Sequence, residues 1–262
     1  MRYFIRLAYN GSNFHGWQSQ PNAVSVQDTI EKALRIVTGE SIAVTGAGRT
    51  DAGVHAVEMY AHIDLNNILI DKDRFIKSVN SLIGKYIAIY EIFPVENDAH
   101  ARFDAIDRTY KYFISYNKNP FLSQYSAFSH KELDLNRMNE AASVLLDTTD
   151  FTSFAKLHSD SKTNICEVSY ARWEKIEKKI NLYENDIPFK GICFTIKANR
   201  FLRNMVRAIV GTLFEVGNNK ISLTEFIDII EKKDRCKAGV SMPAQGLFLW
   251  KITYPYIKDI HK

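Results

Sequence analysis

Two hydrophobic periods alternate along the 262-residue chain. From Val57 to Leu65 the odd positions (Val57, Met59, Ala61, Ile63, Leu65) are apolar and the even ones (Glu58, Tyr60, His62, Asp64) are polar. A period of two predicts a half-buried strand. Tyr3 to Tyr9 and Ile87 to Phe93 read as strands, and Ile42 to Val44 as a short one. Between them the period lengthens: Val26, Ile30, Ala33, Leu34 and Val37 share one helical face. That helix opens on the capping-box-like Ser25-x-x-Asp28 and stops at Gly39. A second helix, Asp73 to Leu82, turns Phe75, Ile76, Val79 and Ile83 inward and ends at Gly84. The order is β-α-β-β-α-β, the ferredoxin-like split unit.

The same order then recurs without residue-level repetition. Arg108 to Tyr116 is a strand, and Leu135, Met138, Ala142 and Leu145 mark a helix. Glu167 to Ile176 and Gly191 to Ala198 are strands on either side of a charged, exposed turn. Phe201 to Phe214 is a helix, Ser222-x-x-Glu225 starts a shorter one, and Leu247 to Tyr254 is the last strand. The expected fold is α+β. It has two ferredoxin-like halves, 1–104 and 105–262, their antiparallel or mixed sheets side by side, helices on one face and a cleft on the other. The boundary is expected between Pro94 and Arg108.

Composition narrows the class. Hydrophobic residues at 46% against 24% charged allow a full core. A formal charge of +4 permits nucleic-acid binding without demanding it. Three scattered cysteines (Cys166, Cys193, Cys236) suit a reducing compartment rather than a disulfide framework or zinc knuckle. There is no 18-residue apolar run, and Met1-Arg-Tyr-Phe-Ile-Arg enters a strand at once, so a cytoplasmic protein with no membrane partner is expected. The seven histidines include no His-Glu-x-x-His. Gly46-Ala-Gly-Arg-Thr-Asp fails as a dinucleotide fingerprint because Asp51 stands at the third glycine, and no Walker loop is present. No cofactor is expected.

Candidate chemistry gathers between Val44 and Ala56, where Gly46, Gly48 and Gly53 surround Arg49, Thr50 and Asp51. Arg49 and Asp51 are two apart on a loop between strands. A carboxylate held there beside a guanidinium is a candidate nucleophile, and equally a side chain that only caps a turn. Phe14, His15 and Trp17 form an aromatic loop suited to stacking bases or to tucking onto the core. Arg200, Arg203 and Arg207 fall at i, i+3 and i+7 opposite Phe201, Leu202, Met205, Val206, Ile209 and Leu213. One helical face of three guanidiniums suits RNA phosphates or a carboxylate partner. Tyr110 shares a strand face with Tyr112, Ile114 and Tyr116, the ordinary place for a packed sheet tyrosine.

Six ordered blocks carry a resemblance. They are Phe14-His-Gly-Trp-Gln-Ser-Gln-Pro21, Gly46-Ala-Gly-Arg-Thr-Asp-Ala-Gly-Val-His-Ala56, Ala101-Arg-Phe-Asp-Ala105, Arg108-Thr-Tyr-Lys-Tyr112, Phe201-Leu-Arg-Asn-Met-Val-Arg207 and Pro243-Ala-Gln-Gly-Leu247. Together they resemble the tRNA pseudouridine synthase A family. The resemblance implies an isomerase that turns uridine into pseudouridine at positions 38–40 of the tRNA anticodon stem-loop, without cofactor. It implies that Asp51 is the nucleophile, attacking sugar or base, and that Arg207 pairs with it. Tyr110 would stack on the target uracil, and Arg49 would fill the gap left by the flipped base. His15, Trp17, Arg200 and Arg203 remain candidate RNA contacts; the resemblance assigns no role to Arg203 or Asn204. It further implies a homodimer in which each tRNA, held at its anticodon stem-loop and elbow, touches both subunits. The rival is a non-catalytic RNA-binding module, which has no use for an acid at the centre of its glycine loop.

Overall fold

Bulky residues at alternating positions make Arg2–Tyr9 the first strand, β1, of a computed structural model that describes residues 1–157, 162–182 and 185–257. There follow α1 (Val26–Thr38), β2 (Thr45–Gly46), β3 (His55–Asp64), α2 (Lys72–Leu82) and β4 (Ile87–Pro94). Then come β5 (Asp107–Ser115), β6 (Ala127–Phe128), α3 (Leu135–Asp147), β7 (Val168–Leu182) and β8 (Asn185–Ala198). The last are α4 (Met205–Gly217), α5 (Leu223–Glu231) and β9 (Leu247–Thr253). The fold is mixed α/β, with five α-helices and a mixed sheet among the described residues. None of those helices is long and apolar enough to cross a membrane.

The chain packs as two compact units, residues 1–108 with the stretch from Leu249 onward, and residues 109–248. In the first, β1 lies between antiparallel β3 and β4, with Ile5 opposite Ala61 and Ile92. Phe4, Leu7, Met59 and Ile63 are buried in this sheet, with Ile30 and Leu34 of α1 and Val79 of α2. Ser25 caps α1 by accepting from the Asp28 amide, a cap of the kind that contributes about 1 kcal/mol. In the second unit β7 and β8 form a long antiparallel ribbon, and β6 runs parallel to β5. Its core holds Tyr112, Met138, Leu145, Phe154, Trp173, Phe194, Ile209 and Phe226. A reciprocal capping box, Ser222 with Glu225, starts α5.

Four expectations change. No strand forms over Ile42 to Val44: the Val44 amide donates to the Glu31 carboxylate at 2.9 Å, and the ladder begins instead at Thr45 and Gly46 opposite His62 and Ala61. Strand β3 is not half-buried. Glu58, Tyr60 and His62 are buried, while Val57 is exposed. Each buried polar residue has a partner on the covering chain. Glu58 accepts from the Ile252 amide at 3.2 Å, Tyr60 meets Tyr254 edge-on at 5.3 Å, and His62 Nδ1 accepts from the Ala101 amide at 3.1 Å. The charged stretch after Ile176 continues the ribbon down to Leu182 opposite Asn185, because a backbone ladder needs no apolar side chain. The tip of that turn, residues 183 and 184, lies outside the described residues. Finally, α4 begins at Met205, four residues later than expected.

Candidate active site

Asp51 begins a tight turn in which the Val54 amide donates to its carbonyl at 3.1 Å. Gly53 has φ +79°, a conformation that glycine adopts at little cost at the third position of such a turn. The aromatic loop grips this turn. The Trp17 amide donates to the Thr50 carbonyl at 3.3 Å and the Gly53 amide to the Phe14 carbonyl at 3.2 Å. Tyr9 Oη and Thr50 Oγ1 are hydrogen-bonded at 2.9 Å. Gly16, at φ +88°, lies so close that a Cβ there would collide with the Thr50 carbonyl. Just beyond the turn, His55 Nδ1 accepts from the Gly11 amide at 3.1 Å. Asp51 itself is half-buried, on a backbone held from several directions.

Trp17 is 2% exposed, and its indole lies against Gly46. Of the two roles open to the aromatic loop, Phe14 and Trp17 take the core one, and only His15 is exposed. Trp17 is therefore corrected from a base-stacking surface to the floor under the loop. Arg49 is exposed and donates through Nε to Gln18 Oε1 at 3.1 Å.

A second segment closes on the same loop. Arg108 donates to three backbone carbonyls: Ala47 at 3.1 Å, Arg102 at 2.6 Å and Ala105 at 2.8 Å. The turn from Ala99 to Asp104 is also held by Arg2 to the Ala99 carbonyl, by Tyr254 Oη to the Ala101 carbonyl, and by His62 to the Ala101 amide. Burial, reinforced by the Arg2 charge and by His100, pushes His62 down to about 4, so its Nδ1 stays an acceptor at neutral pH.

In the second unit, Tyr110 lies on β5, half-exposed and edge-on to Phe201 at 5.0 Å, whereas Tyr112 and Ile114 along the strand are buried. Tyr112 Oη donates to the Pro243 carbonyl at 2.8 Å. Burial raises its phenol above the usual range, with the Arg207 charge pulling the other way. Arg207 sits in the first turn of α4. Its Nε donates to the Met242 carbonyl at 2.6 Å and its carbonyl accepts from the Met242 amide at 3.1 Å. Asn204 caps α4 in the left-handed conformation (φ +65°), which asparagine tolerates better than most residues. Its Nδ2 donates to Ser241 Oγ at 2.6 Å, and Arg235 donates to the same hydroxyl at 2.8 Å. The 238–243 segment is thus a strap that fixes Arg207.

The expectation of three arginines on one helical face is overturned. Arg200 and Arg203 precede α4, and only Arg207 is helical. The backbone breaks at Asn204, and the Met205 amide donates to the Leu202 carbonyl as a turn rather than a longer helix. Arg203 is exposed and Arg200 half-buried. Nothing in the sequence around Arg108 marks its role as a clamp, because its three carbonyl acceptors are brought together by the tertiary fold. Asn204 owes its place to its left-handed backbone, which ends the chain's approach to α4.

A family model described as tRNA pseudouridine synthase matches residues 141–255, which marks the chain as one of the tRNA-modifying isomerases. The curated relatives extend the match to nearly the whole chain. A tRNA pseudouridine synthase A of Bacteroides fragilis is 50% identical over 254 residues, covering 97% of this chain and 96% of its own. One of Porphyromonas gingivalis is 49% identical over 255 residues, covering 97% of each. One of Acetivibrio thermocellus is 41% identical over 254 residues, covering 95% and 97%. The chain belongs to the tRNA pseudouridine synthase A family.

Proposed function

We propose that this enzyme isomerises uridine to pseudouridine in the anticodon stem-loop of tRNA, positions 38–40, with Asp51 as the nucleophile. The observation that carries this is the Asp51 turn. A half-buried carboxylate sits on a backbone gripped by the aromatic loop and, through Ala47, by Arg108. A preorganised backbone keeps a nucleophile aimed without the entropy cost of ordering it during reaction. A loop that served only to bind phosphates would gain nothing from fixing an acid there. Family membership favours the enzyme over the pure RNA-binding module.

The target uridine leaves its stack, at a cost of roughly a few kcal/mol, to reach the carboxylate. Tyr110 offers its ring to the uracil, Arg207 is assigned to Asp51 as its cationic partner, and Arg49 takes the gap left by the base. His15, Arg200 and Arg203 are candidate RNA contacts. Breaking the N-glycosidic bond, turning the uracil and rejoining it through carbon is redox-neutral and consumes no nucleotide. The proposal includes two ferredoxin-like halves at 1–104 and 105–262, a cytoplasmic homodimer, and a tRNA held also at its elbow.

The test is pseudouridine mapping of tRNA after incubation with purified protein. Modification confined to the anticodon stem-loop, and lost with Asp51→Asn, is expected. Modification elsewhere, or an active Asp51→Asn protein, would refute the assignment.

A further inference from the structure

Phe103 is 74% exposed, yet the backbone around it is tied down by several hydrogen bonds. The amides of Arg102 and Phe103 donate to His100 Nδ1 at 3.1 and 3.3 Å. The Arg102 carbonyl is held by Arg108, and the His100 amide donates to Asp104 Oδ2 at 2.7 Å. Fixing a large apolar ring in water is unfavourable unless something covers it. The ring also ends a run of ring contacts. His62 meets His100 edge-on at 4.7 Å between centroids, and His100 meets Phe103 at 4.2 Å with the rings tilted by 36°. His62 is buried and Phe103 is open, so the run is closed at one end and available at the other.

The surroundings say what would extend it. The Arg102 guanidinium lies over the rim of the Phe103 ring, 5.7 Å from its centroid, and leaves the ring 74% exposed. Arg102 and Arg49 also line one cleft with Trp17, Gly46 and Gly48, and the two charged residues of that lining are both cations. This cleft borders the loop that carries Asp51. An exposed ring beside one guanidinium, with a second across the adjoining cleft, fits a nucleotide, base on the aromatic and phosphates on the cations.

We propose that the Arg102–Phe103 turn is a stacking subsite for an unpaired nucleotide of the substrate RNA, separate from the uridine that reacts. Phe103 supplies the ring face, and Arg102 with Arg49 takes the adjoining phosphates. This rests on the enzyme reading above. It adds a contact that selects RNA with an unpaired base beside the target.

The test uses full-length protein and a tRNA transcript, with Kd measured across a salt series for wild type, Phe103→Ala, Phe103→Tyr and Arg102→Gln. Phe103→Ala should weaken binding roughly 5- to 150-fold, the range of one base–aromatic stack, with an unchanged salt slope. Phe103→Tyr should restore affinity to within about twofold, because the ring face is kept. Arg102→Gln should instead lower the slope by about 0.7–0.9, the signature of one phosphate contact. Wild-type affinity in Phe103→Ala, or equal losses in the Ala and Tyr variants, would overturn the subsite. A fall in sedimentation mass with Phe103→Ala would assign the ring to an interface between copies, and would overturn it too. Asp51→Asn assayed alongside separates the two ideas. Loss of turnover there with normal binding by Phe103→Ala refutes only the subsite, and the reverse pattern refutes only the nucleophile.

Discussion

Arg108 reaches the backbone carbonyl of Ala47 at 3.1 Å, tying the loop that carries Asp51 to the turn that carries Arg102 and Phe103. The same guanidinium holds the Arg102 and Ala105 carbonyls, so one side chain sets the spacing of the two segments. A planar fork with five donors in fixed directions serves three separated acceptors without giving up any of them. Arg108→Met should therefore destabilise the protein by about 1.5–3 kcal/mol, the worth of a charge-assisted bond. It should also slow turnover at saturating tRNA, because Asp51 loses its aim. Arg108→Lys should recover part of the stability and little of the rate. Urea unfolding paired with single-turnover kinetics checks this, and normal rates in both variants would show that the clamp does not position the nucleophile.

Asp51→Asn keeps the side chain's shape and removes its charge. Pseudouridine formation should vanish while tRNA affinity and the unfolding midpoint stay near wild type, since a neutral amide cannot act as the nucleophile. Turnover retained within about tenfold would remove Asp51 from the mechanism.

Tyr110 is half-exposed beside Phe201, unlike Tyr112 and Ile114 further along the same face of the strand. Tyr110→Phe should bind tRNA normally and slow the reaction if the hydroxyl moves a proton. Tyr110→Ala should also lose stacking worth roughly 1–3 kcal/mol. Two variants indistinguishable from wild type would leave Tyr110 a sheet residue.

Arg207 and Arg203 differ in setting, one strapped into the first turn of α4 by Met242 and the other exposed before the helix. Arg207→Met should depress the rate at saturating tRNA with little change in affinity or salt slope. If Arg203 faces RNA, Arg203→Met should raise Kd and reduce the slope by about 0.7–0.9. Matching slopes and matching affinity losses would sink the assignment of Arg207 to Asp51.

His62 gives a pH signature. Its folded form is neutral down to about 4 against an ordinary 6.5, so between those values the unfolded chain binds more protons. Stability should fall as pH drops through that window and level off below about 4. His62→Gln, which can still accept from the Ala101 amide without titrating, should flatten that part of the curve. Urea midpoints from pH 4 to 7 test it, and an unchanged slope in the variant would assign the dependence to other groups.

The chain's own pattern determined the α-helices, the longer strands and their order, because helix and strand periods and end caps are local, whereas the two-residue strands β2 and β6 carry no such period. Ser25, Gly39 and the Ser222–Glu225 box mark helix ends within four residues of sequence. The Asp51 loop was legible for the same reason: its glycines and charges are neighbours in the chain. Tertiary structure alone decided the rest. Whether Glu58, Tyr60 and His62 face water depends on chain some 40 to 190 residues away, and whether Trp17 is a surface or a floor depends on Gly46 across the loop. Helical spacing in Arg200, Arg203 and Arg207 was real in sequence, but the left-handed Asn204 broke it, held by Ser241 from a distant strap. Periodicity reports which side a residue would take within an element; where that element starts, and what covers its other side, are set by contacts that long-range packing supplies.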